Sequence, residues 1–421
     1  MDTSGKGGLT MAEYAQERPK IGSWLRERFF LGLSVKEYLR GLITPFNVVA
    51  GIIILIGLPF VIMRFTQGLG AVTHASQDQP WSLFLSWGLF TGVPLAATGY
   101  IMASAVYIFG LKDYHSLVRP AVLTGFIGYL FAVIFLLFDL GRPWRLPYPM
   151  TVSFGTTSVL FLVGWHVALY LSTQFVELCP AVFEWIGANR WRKWALGVTI
   201  GATIFGVILS TLHQSALGAL FLLAPGKLHP LWYSEFIPLF FFVSSIFAGL
   251  SMVIAESTVS RRFLRNRTDR MDPRRAVSLD RLTIGLGRAA SLVLLTYFCL
   301  KWIGVAHGHH WDLLNTSWGY WFLVEVFGFV LLPCFLFAYG VRIRSAGLLR
   351  FTAFFTILGI AANRLTVSMF ALNWKLPHRE FLYWKELILV VTIITVEILM
   401  YRWIVNRMPI HRDHPDFEGA H

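Results

Sequence analysis

Apolar residues in this chain neither alternate nor recur at helical spacing; over most of its length they simply run on. Ten stretches are apolar almost throughout, at about 47–66, 82–110, 118–139, 152–176, 194–223, 236–256, 282–302, 318–339, 351–371 and 384–404, with polar residues gathered between them. A helix rises about 1.5 Å per residue, so roughly 20 apolar residues cross a hydrocarbon layer about 30 Å thick. The pattern predicts an all-α integral membrane fold of ten transmembrane helices. The fifth stretch is longer than needed and is expected to tilt or break. Ahead of the first, Ser23 to Leu42 mixes Trp24, Leu25, Phe29, Phe30 and Leu33 with Arg26, Arg28, Lys36 and Arg40. That mixture predicts an amphipathic helix lying on the membrane surface.

The expected organisation follows. Residues 1–45 form a polar segment with that surface helix, 46–257 the first six spans, 258–281 a basic loop, 282–405 the last four spans and 406–421 a short polar tail. The first 45 residues are polar and basic, so no cleavable leader is expected.

Composition agrees with the pattern. The chain of 421 residues is 56% hydrophobic and 14% charged, where soluble proteins carry about a quarter charged residues. An ordinary soluble globule and a disordered chain are both excluded. The net charge of +13 does not imply nucleic-acid binding, because the basic residues lie between apolar runs. With the N-terminus inside and span-edge residues assigned to the adjoining loops, 26 Lys and Arg fall on the inner side and 6 on the outer. Basic loops stay in the cytoplasm, so both termini are expected there, and the dense stretch from Arg261 to Arg275 is expected to meet lipid headgroups. The three cysteines, Cys179, Cys299 and Cys334, form no paired motif. An iron–sulfur cluster, structural zinc or c-type haem in this chain is therefore not expected.

An ionisable side chain inside a span costs several kcal/mol unless it meets a partner or water, so such residues are candidate sites. Asp139 closes the third span in Asp139-Leu-Gly-Arg-Pro-Trp-Arg145, where Gly141 and Pro143 break the helix. The broken backbone must find partners in protein. Arg142 is placed for a local ion pair with Asp139, and a simple helix-end salt bridge is the plain alternative. His213 and Gln214 lie about ten residues from the outer end of the fifth span, beside the small residues Ser215 and Gly218 that admit a close neighbour. Arg364 lies about seven residues from the outer end of the ninth span, next to Asn363. Asp139, Glu325 or Glu386 would serve as its partner. His166 falls near mid-membrane, and Glu256, Arg288 and Glu397 fall toward the cytoplasm. Together these define a possible proton route, or else isolated structural pairs. Outer-side aromatics, among them Trp81, Trp144, Tyr148, Trp232, Trp311, Trp318 and Trp374, read as interfacial anchors or a docking face. His307, His309 and His310 form a cluster in the outer loop before the eighth span, an alternative metal site whose spacing is loose.

Three chemistries use such groups. Quinone reduction takes two electrons and two protons, and His, carboxylic acid and Arg around an apolar slot supply the donors. Proton or ion transport, as a cofactor-free transporter or channel, needs acidic and His groups in series. Haem b needs axial pairs, and His166 with His213 is the pair within the spans.

The stretch from Asp139 through Leu-Gly-Arg-Pro-Trp-Arg-Leu-Pro to Tyr148 resembles a helix-end motif of the NrfD/polysulfide-reductase membrane-subunit family. So do Leu212-His-Gln-Ser-Ala-Leu-Gly-Ala-Leu220, Leu228-His-Pro-Leu-Trp232 and Asn363-Arg-Leu-Thr366. The likeness runs from about 47 to 405. It is strongest to the ten-span branch holding quinone-reactive subunits of hydrogenase-2-type enzymes and membrane subunits of menaquinone reductase complexes. The resemblance implies two four-helix bundles flanked by the first and last spans, set in a bacterial inner membrane. It implies that menaquinone or another quinone is bound near the outer face, with no haem or iron–sulfur cluster in this chain. Electrons would pass to or from a periplasmic ferredoxin-like iron–sulfur subunit, with cytochrome, hydrogenase or molybdopterin-type subunits beyond it. Carried over by motif, Asp139, His213 and Arg364 become catalytic candidates. His166, Gln214, Arg142 and Trp144 become quinone-binding candidates. Glu256, Arg288, Glu325, Glu386 and Glu397 become candidates for proton movement.

Overall fold

A computed structural model describes residues 21–76, 79–263, 273–376 and 383–411. The stretch 264–272 of the predicted basic loop and the tail beyond 411 lie outside the described residues. The chain divides into two compact units, residues 1–52 and 53–421.

The first unit carries α1 (Ile21–Phe30) and α2 (Val35–Gly41). The single surface helix expected from Ser23 to Leu42 is therefore two helices. Leu31 and Gly32 take positive φ angles of 55° and 77°, which stops α1. Ser34 then starts α2, accepting a hydrogen bond from the Glu37 amide at 3.3 Å and donating its own amide to the Glu37 carboxylate at 2.9 Å. This reciprocal capping satisfies two helix-start donors.

Among the described residues, ten helices are long and apolar enough to cross a membrane. They are α3 (Pro45–Gln67), α4 (Phe84–Ile108), α5 (Lys112–Asp139), α6 (Val159–Ile186), α7 (Asn189–Leu223), α8 (Ile237–Ser260), α9 (Leu279–His307), α10 (Ser317–Arg342), α11 (Ala346–Phe370) and α12 (Trp384–Val405). The protein is an all-α, multi-pass integral membrane protein. No strand occurs among the described residues; Leu228 and Leu372 form an isolated antiparallel bridge. Helices α4 to α7 pack on one another, as do α8 to α11; α8 also packs on α4 and α7, and α12 on α5. Burial sets their places. The apolar window of α4 is 83% buried and that of α3 only 11%.

Most boundaries fall within a few residues of expectation, but α6 does not. It starts at Val159 and runs to Ile186, where 152–176 was expected. Pro147, Pro149 and Gly155 keep the preceding chain out of a long helix. Ser158 then caps the start, accepting from the Phe161 amide at 3.5 Å, and Gly187 ends the helix with φ 82°. His166 is consequently seven residues into α6, about 10 Å from its start. The long α7 stays helical to Ala219 and tightens into a 3₁₀ turn over Leu220–Leu223.

Three membrane helices contain wide, π-helical turns that bear on the sites below: Phe84–Thr91 in α4, Val324–Leu331 in α10 and Thr366–Phe370 in α11. Pro94 and Pro333, which cannot donate a backbone hydrogen bond, follow the first two. Such bulges often mark functional positions. Because successive spans alternate in direction, the end of α5, the starts of α4, α10 and α12 and the ends of α7, α9 and α11 share one face.

Candidate functional site

The turn after α5 is held from the neighbouring helix α3. Asp139 is the last helical residue and Leu140 is extended, which strands carbonyl groups at the helix end. Arg64, 1% exposed, donates from Nε to the Phe138 oxygen at 2.6 Å and from Nη2 to the Leu140 oxygen. The broken backbone finds its partner in this arginine, which the sequence reading did not single out. The signal was available: Arg64 is the one charge in the apolar run of the first span.

Asp139 accepts a hydrogen bond from Ser82 Oγ, and the Arg64 charge lies within electrostatic range. One residue further on, the Leu83 amide donates to Glu386 Oε2 at 3.0 Å. The segment entering α4 thus holds a carboxylate from α5 on one residue and a carboxylate from α12 on the next. Beside them lies a partly open cavity lined by His74, Trp81, Ser82, Tyr383, Met369 and Glu386 among others. The rings of His74 and Tyr383 meet edge to face at 4.1 Å. The structure thus brings together Asp139 and Glu386 and adds Ser82, the first residue of the expected second span, with His74 and Tyr383, which lie in loops between the expected spans.

His213 lies deeper. It is fully buried, with Nε2 hydrogen-bonded to the Tyr129 hydroxyl and Nδ1 2.7 Å from the Leu209 carbonyl oxygen. Gln214 donates to the Tyr129 hydroxyl at 3.2 Å and to the Val93 oxygen at 3.1 Å. Tyr170 packs against both Tyr129 and His213, and Gln174 donates to its hydroxyl at 2.9 Å. Gly99 and Gly125 admit Gln174; a Cβ at either would lie 2.5 or 2.4 Å from its amide nitrogen. Tyr129 and Asp139 are ten residues apart on one helix, about 15 Å. Asp139 and His213 therefore occupy two levels and cannot hold the two oxygens of one quinone ring.

Arg364 belongs to a third group and does not pair with Asp139. It donates to Ser244 Oγ at 2.5 Å, and its guanidinium sits 3.6 Å above the Phe241 ring. Glu325 accepts from Trp232 Nε1 at 2.9 Å and from Asn363 at 3.0 Å. Trp232 is 1% exposed, so it is part of a buried polar site and not an interfacial anchor. Lys301, 6% exposed, joins this group.

The remaining candidates are scattered. Arg142 and Trp144 are exposed on the turn after α5, and Arg142 makes no ion pair with Asp139. His166 has a buried Nδ1 without a hydrogen-bond partner. Glu256, at the opposite face, is held by Tyr401 and by Ser260 at 2.7 Å, with His411 3.8 Å away. Arg288 is exposed, and Glu397 makes no hydrogen bond among the described residues. No hydrogen bond among the described residues links Glu256, Arg288 or Glu397 to the outer groups. Among the described residues no group of three or more His, Cys, Asp or Glu is placed to hold a metal ion. Both nitrogens of His213 are engaged, so a His166–His213 haem pair would have to break those hydrogen bonds.

The family model described as Polysulphide reductase, NrfD matches residues 71–374. The chain is 48% identical over 384 residues to a protein of Nitratidesulfovibrio vulgaris, covering 91% of this chain and 98% of that one. It is 29% identical over 380 residues to the probable Ni/Fe-hydrogenase 2 b-type cytochrome subunit of Escherichia coli, covering 88% and 94%. To the menaquinone reductase integral membrane subunit of Nitratidesulfovibrio vulgaris it is 23% identical over 343 residues, covering 76% and 78%.

Proposed function

The chain belongs to the polysulphide reductase, NrfD family, and on that premise we propose that it is the quinone-reactive membrane subunit of a respiratory oxidoreductase complex. The names of its relatives support this: one is a menaquinone reductase membrane subunit and another a hydrogenase subunit. We place it in a bacterial inner membrane with both termini in the cytoplasm, following the bias of basic loops. Its partner would be an extracytoplasmic iron–sulfur subunit docked over the turns at 140–151, 224–235 and 302–317.

The observation that carries the reading is the convergence of Asp139 and Glu386 on Ser82 and Leu83 beside the His74–Tyr383 cavity. A quinone taking two electrons must also take two protons, one on each oxygen. Carboxylic acid, imidazole and hydroxyl groups beside an apolar slot are the donors this requires. Asp139 and Glu386 would exchange protons with a menaquinone or other quinone ring seated at that level. His213 and Tyr129, about 15 Å deeper along α5, would relay protons and not touch the ring. Haem is assigned to partner subunits, because His213 has no free nitrogen to offer iron.

The test is quinone-linked turnover of the purified complex carrying Asp139→Asn, Glu386→Gln or His213→Ala. Each variant should assemble at the normal level and lose most turnover. Normal kinetics in both Asp139→Asn and Glu386→Gln would remove the site. A substrate flux through the isolated chain, with no redox partner required, would favour a transporter instead.

A further inference from the structure

The helices α5 and α12 carry Asp139 and Glu386 at one membrane face, and they are tied together again at the opposite face. Arg119 stands on α5 about 30 Å along the axis from Asp139. Its guanidinium is gripped by Glu184 of α6, Nη2 donating to Oε1 at 2.8 Å and Nη1 to Oε2 at 3.0 Å. Arg192 of α7 donates to the same carboxylate at 2.7 Å. A guanidinium paired with both oxygens of one carboxylate is a rigid donor. It reaches one acceptor more: Nη1 also donates to the carbonyl oxygen of Pro409 at 3.2 Å.

Pro409 belongs to the short segment that follows α12. The amides of Arg407 and Met408 donate to the Ile404 oxygen at 3.0 and 2.8 Å, and the Ile410 amide to the Met408 oxygen at 2.8 Å, so the chain folds back at once. Ile410 is 2% exposed and shares a core with Val118 and Val122 of α5 and Leu178 and Ala181 of α6. Toward the other bundle, Tyr401 of α12 donates to Glu256 of α8, and His411 Nε2 lies 3.8 Å from the same carboxylate.

Along its middle, from Leu387 to Met400, α12 makes no hydrogen bond to another helix among the described residues; Thr392 and Thr395 donate to carbonyls of their own helix. Polar contacts therefore fix α12 only near its ends. At the quinone-site end, Lys385 Nζ donates to the Ala71 oxygen at 3.0 Å and Glu386 accepts from the Leu83 amide at 3.0 Å. Surrounding lipid tails are as apolar as the side chains of α12, so they do not oppose its sliding. A slip of one residue along the axis moves every side chain by about 1.5 Å, enough to break the bond between Glu386 and Leu83.

We propose that the segment 408–411 is a positioning element of the quinone site. By tying the far end of α12 to Arg119 of α5, it sets where Glu386 stands relative to Asp139. The proposal rests on the quinone reading of that carboxylate pair. Ile410 and Arg119 are its positioning residues, and neither touches the quinone.

The test measures binding of a fluorescent alkyl-hydroxyquinoline N-oxide, a quinone analogue, to the purified complex. Ile410→Ala should weaken binding several-fold per assembled complex, and ending the chain after Arg407 should weaken it at least as much. Ile410→Val, which keeps most of the buried volume, should restore wild-type affinity. Arg119→Lys keeps the charge beside Glu184 but lacks the fork that also serves Pro409, and it too should weaken binding; it covers the case in which Ile410→Ala fails to assemble. Glu386→Gln should weaken binding by itself, and adding Ile410→Ala to it should weaken binding little further, because the segment acts through Glu386. A merely structural tail would lower thermal stability or yield and leave affinity per assembled complex unchanged. That result in the Ile410→Ala, Arg119→Lys and shortened chains, or fully additive losses in the double variant, would overturn the proposal while leaving the quinone site standing. Wild-type affinity in Glu386→Gln, or no binding in wild type, would instead remove the quinone reading and this proposal with it.

Discussion

Arg64 donates from Nε to the carbonyl oxygen of Phe138 at 2.6 Å, tying the last turn of α3 to the last turn of α5. A second donor from the same guanidinium reaches Leu140. Arg64 thereby acts as a helix cap supplied from another span. It also puts a permanent positive charge beside Asp139.

Replacing Arg64 with Met should leave two carbonyls unpaired in an apolar setting. Each lost bond of this kind costs about 1–3 kcal/mol. Thermal unfolding of the purified complex should fall by several degrees, and quinone turnover should fall with it because the turn carrying Asp139 loosens. Lysine at the same position should restore charge but only part of the stability, since it lacks the fork that serves two acceptors.

Tyr129→Phe should separate relay from architecture at the deeper level. The phenol oxygen is shared by His213 and Gln214; its removal strands His213 Nε2, while Gln214 keeps its bond to the Val93 oxygen, at a cost of about 1–3 kcal/mol. Turnover should drop in Tyr129→Phe and His213→Ala, and the double variant should be no worse than the more severe single one. Full additivity of the two losses would mean that the residues act independently.

The arrangement of spans was open to reading because hydrocarbon imposes one simple demand, a long apolar run, and ten runs met it. Sites were legible only in part. Asp139, His213 and Arg364 announced themselves as polar residues where lipid was expected, and all three are indeed held by specific partners. Their grouping was not legible, because it depends on which helices touch. Arg364 meets Ser244 of α8 and not Asp139 of α5. Trp232 looked like an interfacial anchor, yet the loop carrying it folds in against residues 371–373, where the His229 amide donates to the Ala371 oxygen at 3.0 Å. Lys301 sat near an expected span edge, where lysines usually reach out to water, and its burial could be learned only from the rings around it.

An absorbance spectrum of the isolated subunit should show no Soret or α band. His213 already uses both ring nitrogens, and His166 alone cannot supply two axial ligands. The relative named as a b-type cytochrome subunit makes the measurement worth making on this chain directly. Haem bands that vanish in His213→Ala would assign iron to this residue and overturn the relay role given to it.

Two glycine substitutions in α7 should act in opposite directions. At Gly218 an added Cβ would lie 2.6 Å from the Ile237 carbonyl oxygen and 2.8 Å from Pro238 Cα. Both are backbone atoms, which cannot swing aside as a side chain would. Gly218→Ala should therefore push α7 from the start of α8 and destabilise by about 1–3 kcal/mol, the usual range for overpacking. At Gly201 an added Cβ meets nothing within 4 Å, and alanine there gains up to about 1 kcal/mol of helix propensity. Gly201→Ala should unfold at the same temperature as wild type or above it, and Gly218→Ala clearly below. If Gly218→Ala were as stable as Gly201→Ala, the close approach of α7 to Ile237 and Pro238 would be wrong, and with it the packing that sets His213 in place five residues earlier on the same helix.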